Sequence, residues 1–166
     1  MIADGETLRL YRGLTEAFLI GSLRLGVGFA GIAATVPAGM RPRAAFAEAA
    51  FGAVVLVLIG IAPVGRMAPW RRRAATLALP AHANREPWWL TLVHASIPST
   101  VTVGAATAAA LVFDARLSAF AAGILVGMGT LALLAGIEVA AWERREQSEL
   151  YLERGPRRRR FVGPSG

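Results

Sequence analysis

The sequence predicts an all-α polytopic membrane protein: a bundle of four transmembrane helices with the N-terminus and the C-terminus both cytoplasmic. Three observations predict it. The chain is 55% apolar and only 17% charged, with a mean hydropathy of +0.49, whereas a soluble domain carries about 25% charged residues. The apolar excess is gathered into four long stretches with the charges between them. The arginines divide unevenly between alternate connections. This pattern excludes a soluble enzyme and a disordered chain, and the absence of cysteine from all 166 residues excludes a disulfide scaffold. It also excludes thiol catalysis, Cys-ligated zinc and iron–sulfur clusters within the chain.

The spans are expected at about 13–36, 44–64, 88–113 and 117–142. Pro37 closes the first, and the second lies between Pro42 and Gly65-Arg66. Each is long enough to cross a hydrocarbon core of about 30 Å. The runs are continuous rather than alternating, which argues against a β-barrel. The N-terminal Asp4, Glu6, Arg9 and Arg12 are unlike the start of a cleavable signal, so the first span is expected to be retained. Residues 1–142 then form one membrane domain, with an arginine-rich cytoplasmic loop at 65–87 and a charged cytoplasmic tail at 143–166.

Orientation follows from the arginines, which supply all 18 basic residues. With both tails inside, fourteen lie in the cytoplasm: Arg9 and Arg12, five in the middle loop and seven in the C-terminal tail. Three, Arg41, Arg43 and Arg116, lie outside. Trp70, Trp88, Trp89, Trp142 and Tyr11 then gather at the cytoplasmic interface, where an aromatic belt belongs. The arginine-only, alanine-rich usage reflects a GC-rich genome rather than a mechanism. The expected location is a bacterial-type inner membrane. Within the middle loop, RRRAATLAL at 71–79 is expected to form a short interfacial helix ended by Pro80. Its Arg71, Arg72 and Arg73 would contact anionic lipids of the cytoplasmic leaflet. In the tail, ERREQSELYLER is expected to continue the fourth helix, and FVGPSG after the arginine run is expected to be disordered.

Small residues suit close packing of helices in lipid. The fourth span has Gly123 and Gly127 at GxxxG spacing, with Gly129 and Gly136 beyond; the first has Gly21, Gly26, Gly28 and Gly31. These seams serve either packing within one chain or a homo-oligomer.

Ionisable groups inside a span need a partner or a purpose. Arg24 is expected roughly 18 Å deep in span 1, and Glu48 roughly 6 Å in from the outer end of span 2. An Arg24–Glu48 pair would clamp these spans together; alternatively, Arg24 is the base of an anion or headgroup site. Span 3 carries Ser99, Thr100 and further hydroxyls around Pro98, which leaves the His94 carbonyl without its helical donor. Thr130 of span 4 lies near the depth of Arg24. Glu16, His94 and Glu138 share a level roughly 6–9 Å from the cytoplasmic ends, and could bind a metal or relay protons. Ordinary hydrogen bonding near the headgroups accounts for them as well. No motif for a metal, haem or nucleotide stands in the sequence, so it names no cofactor.

LRLGVGF, around Arg24, and AEAAFGAVVLVLIGI, around Glu48, are similar to segments of the DoxX-like four-helix membrane proteins. The likeness is an arginine early in the first span and a glutamate leading a glycine-containing second span. The long arginine-rich loop departs from that compact pattern, and no residue role is taken from it.

Three functions fit this architecture. The first is an oligomeric transporter or channel-like protein with a polar site around Arg24, Glu48 and span 3. The second is an accessory or assembly subunit of a larger membrane complex. The third is a membrane enzyme using Glu16, His94 and Glu138. Anionic lipid is the expected partner in all three, and nucleic acid is not.

Overall fold

A computed structural model describes residues 9–67, 77–79, 84–153 and 160–164. It is mostly helical, as the apolar runs require. A short strand β1 (Arg9–Arg12) leads directly into α1 (Gly13–Thr35). A tight turn, in which Gly39 has φ 96° and Met40 N–H donates to Thr35 C=O at 3.1 Å, reverses the chain into α2 (Pro42–Met67). Positive φ costs glycine nothing, and proline fits the first turn of a helix, where its missing N–H is no loss.

The middle loop contributes strands β2 (Leu77–Ala78) and β3 (Asn84–Arg85). The third apolar run is one continuous helical path in three pieces: α3 (Trp88–Thr91), a π-helical segment (Leu92–Ser96) and α4 (Ile97–Phe113). Pro98 cannot donate, and the chain answers by widening the turn before it, so that Ile97 N–H reaches Leu92 C=O. Asp114 alone separates α4 from α5 (Ala115–Glu146); its side chain caps α5 by accepting from Arg116 N–H at 2.7 Å.

Three helices, α1, α2 and α5, are long and apolar enough to cross a membrane, and the apolar part of the third path, Thr100–Phe113, is shorter. Their outward faces carry Phe46, Phe51, Leu58, Ile59, Val112 and Phe113, all exposed, a surface that suits lipid. The central helix is α5, against which α1, α2 and α4 all pack. Its glycines face two ways. Gly123 and Gly127 seat against the backbone of Ala49 and Ala53 in α2. Gly129 and Gly136 seat against Gly21, Leu25 and Ala17 in α1, where a Cβ on Gly129 would lie 2.8 Å from Gly21 O. The GxxxG pair is therefore occupied inside the chain. Ile32, Ala45, Ala49 and Ala122 close the end of the bundle near the α1–α2 turn.

The other end is covered by a five-stranded sheet of order β2-β5-β4-β1-β3, completed by β4 (Ser148–Glu153) and β5 (Arg160–Pro164). β4 runs antiparallel to β1 and β5, pairing Leu10 with Glu153 and Tyr151 with Phe161; the edge pairs β1–β3 and β2–β5 are parallel. On one face Leu150 and Leu152 pack over Gly13. The other face has its own apolar cluster of Leu10, Tyr151 and Phe161, with Leu79 against it.

This sheet corrects four expectations. The fold is not purely helical. The tail leaves helical geometry at Gln147, whose φ is 49°, and residues 148–153 form a strand instead of more helix. Residues 160–164 are strand β5 rather than disordered chain, and Leu77–Ala78 pair with Phe161 and Val162 instead of ending an interfacial helix. Cross-strand partners, absent from any local window, decide these segments. Arg71, Arg72 and Arg73 lie outside the described residues.

Candidate functional site

Two polar regions stand out, one within the bundle and one beneath the sheet. In the bundle, α1 and α4 both start from the sheet end and run in the same direction. Their register is set by two close approaches: a Cβ on Gly104 would lie 3.2 Å from Val27 Cγ1, and one on Gly31 would lie 3.3 Å from Thr107 Cγ2. Helical periodicity then fixes what faces what. Arg24 precedes Val27 by three residues and Gly31 by seven, and Thr100 precedes Gly104 by four and Thr107 by seven. Both lie on the α1–α4 seam at one level. Arg24 is half-buried. Thr100 is 1% exposed, and its hydroxyl has no hydrogen-bond partner.

That sets Thr100 apart from four other threonines of the bundle. Thr102, Thr107 and Thr130 each donate to the carbonyl four residues back, at 2.8–2.9 Å, the usual way a membrane helix satisfies a hydroxyl. Thr35 donates to Ile32 C=O at 2.7 Å. Gly129 packs on Leu25, so Thr130 does lie near the level of Arg24, with its hydroxyl spent on its own helix. The Ser99 side chain lies outside what the structure describes.

The other intramembrane candidates are not drawn together. Glu48 is half-buried on α2, a helix that meets α1 only slightly, and among the described residues the ion pairs are those of Arg12 with Glu143 and Glu149. Glu16 is buried, whereas His94 and Glu138 are exposed. The His94 ring turns back to Leu90 C=O at 2.9 Å, so Nδ1 carries the proton. Among the described residues, no group of three or more His, Asp or Glu side chains is placed to hold a metal ion. Equal depth along a helix does not imply a shared face.

Beneath the sheet, Glu143 is 8% exposed at the end of α5. Its Oε1 accepts from Leu150 N–H at 2.9 Å, and its Oε2 accepts from Arg12 at 3.3 Å. Arg12 also pairs with Glu149 at 3.2 Å. The Tyr151 hydroxyl donates to Glu149 at 2.6 Å, and the Arg85 guanidinium lies 5.2 Å from the centre of the Tyr151 ring. Burial, and then the hydrogen bond to Glu149 and its charge, push the Tyr151 phenol above its usual value near 10. One carboxylate thus ties the last turn of α5 to β1 and β4, and a second passes the link on to β3 through Tyr151. A cleft of about 340 Å³ opens beside this network, lined by Arg12, Glu143, Arg144, Gln147 and Glu149 among others.

Sequence reasoning passed over Glu143 as one charge in a charged run. Its signal was positional: it continues the helix face of Gly136 and Val139, so it had to point inward. No family model, no curated protein and no solved structure matches this chain.

Proposed function

We propose that this chain is an accessory subunit of the membrane: a four-helix anchor that holds a rigid, basic platform at the cytoplasmic surface for a larger membrane complex. The observation that carries this is the sheet. It draws the N-terminal segment, the middle loop and the C-terminal segment onto one end of the bundle, and those three segments carry fourteen of the 18 arginines. Arginine density on one side supports a cytoplasmic placement in a bacterial inner membrane and contact with anionic lipid. The glycine seams of α5 are filled by its own neighbours, which leaves the platform and the lipid-facing helix surfaces for partners. The hydroxyls of Thr102, Thr107 and Thr130 are bonded back to their helices, which does not favour a continuous polar path.

The test is native mass spectrometry of the full chain, extracted from its own membrane in mild detergent. A stoichiometric hetero-complex that dissociates when Arg71, Arg72 and Arg73 are changed to Gln supports the proposal. A homo-oligomer or monomer that carries solute across a proteoliposome membrane overturns it. The second reading, transport, is favoured by the facing pair Arg24 and Thr100, and is tested by loss of that flux in a folded Arg24→Ala protein.

A further inference from the structure

The Thr100 hydroxyl is the most isolated polar group described inside the bundle. It is 1% exposed and makes no hydrogen bond, although leaving a buried hydroxyl without a partner is unfavourable. A threonine in a helix normally relieves this by donating to the carbonyl four residues back. Here that residue is Ser96, the last of the π-helical segment, where the turn has been widened. Such segments are frequent at binding sites. Across the seam, at the same level, stands Arg24, about 17 Å along α1 from Gly13. Arg24 already has a partner within the chain, but a guanidinium carries more N–H donors than one partner uses, and the Thr100 hydroxyl adds a donor whose hydrogen is free to point across the seam.

We propose that the α1–α4 seam at Arg24 and Thr100 is an intramembrane binding site for a small monovalent anion. The site is independent of the platform proposed above. An anion there would accept from the threonine hydroxyl and from the guanidinium donors that the arginine's existing contact leaves over, in a low-dielectric surrounding, where charge-assisted bonds are strongest. The depth favours a small free anion over a lipid phosphate, which stays at the headgroup level.

The probe is chloride, with the full chain in phosphatidylcholine nanodiscs and gluconate replacing chloride at constant ionic strength. The readout is the ³⁵Cl linewidth in excess of empty nanodiscs. The wild type should show excess broadening and a higher unfolding temperature in chloride than in gluconate. Thr100→Val, nearly isosteric, should lose more than half of that broadening and the chloride-dependent stabilisation. In gluconate it should be at least as stable as the wild type, because a methyl replaces an unbonded hydroxyl. Arg24→Gln should lose the broadening as well. Unchanged broadening in Thr100→Val would place the chloride on the exterior arginines and overturn the proposal. A Thr100→Val protein destabilised in gluconate would also overturn it, since the hydroxyl would then have a partner within the protein. Phosphatidylglycerol nanodiscs should give the same broadening; its abolition there would mean that a headgroup fills the seam, and the small-anion assignment would fail.

Discussion

Truncating Glu143 to alanine should release the sheet and leave the helices in place. The carboxylate is 8% exposed and accepts from Leu150 N–H and from Arg12. Removing it strands a buried backbone donor, at a cost of about 1–3 kcal/mol, and deletes a charge-assisted bond. The ion pair itself adds little, because the Arg12 side chain is 40% exposed and keeps Glu149. The sum is about 2–3 kcal/mol, nearly all of it local to the junction of α5 and β4. In hydrogen exchange this becomes a roughly 30- to 150-fold loss of protection at Leu150, Tyr151 and Leu152, with the amides of α1, α2 and mid-α5 unchanged. Glu143→Gln can still accept from Leu150 and should cost about 1 kcal/mol. Two results would refute the reasoning. One is unchanged exchange in β4 of the alanine variant, which would mean that Glu143 does not hold the sheet. The other is equal loss in β4 and the bundle, which would mean that the sheet and helices are one cooperative unit.

Three further outcomes are expected. Gly123→Ala should lower the unfolding temperature in detergent sharply, because its Cβ would occupy the place of Ala49 backbone atoms, whereas Gly26→Ala, with nothing within 4 Å, should be neutral or slightly stabilising. In a Tyr11→Phe background, the tyrosinate absorbance of Tyr151 should titrate above pH 10, and Glu149→Gln should move the midpoint back toward that value. Because the folded value is the raised one, the phenol's contribution to the sheet is complete below pH 10 and is lost as pH rises through the raised value. Finally, single cysteines placed in this cysteine-free chain should report opposite sides. Ala38→Cys, in the α1–α2 turn, should react with an impermeant maleimide on intact cells, and Glu146→Cys, beside the sheet, should react only after lysis; the reverse pattern would place the platform outside.

The helices were legible because each is a long apolar run closed by proline, glycine or a charged cluster, and the structural bounds fall within a few residues of the expected ones. The sheet was not legible, because its evidence is non-local. β2 and β3 are two residues each, and each pairs with a segment far away in the sequence. SELYLE does alternate, with Leu150 and Leu152 on one face, but the charged helical run before it masks the change of period. The level of a residue along its helix was readable from residue counts, whereas facing was not. Thus Arg24 and Thr100 fall on one seam between α1 and α4, whereas Glu48 sits on a helix that meets α1 only slightly, because α5 packs against both α1 and α2. The two-sided use of glycine in α5 is a matter of helical phase: Gly123 and Gly127 differ by just over a full turn and look one way, and Gly129 and Gly136 look another.

The order of the strands has a consequence for synthesis. β1 leaves the ribosome before any of the helices, yet its partner β4 follows the last of them, with Leu10 waiting for Glu153. Contacts so distant in sequence form late. While the helices are being made, therefore, β1 keeps an open strand edge, and only a chain whose helices have all taken their places can close it. Sheet closure is in effect a record that the bundle is complete. A chain stalled before α5 would display that unpaired edge, the kind of surface by which unfinished proteins are caught or aggregate.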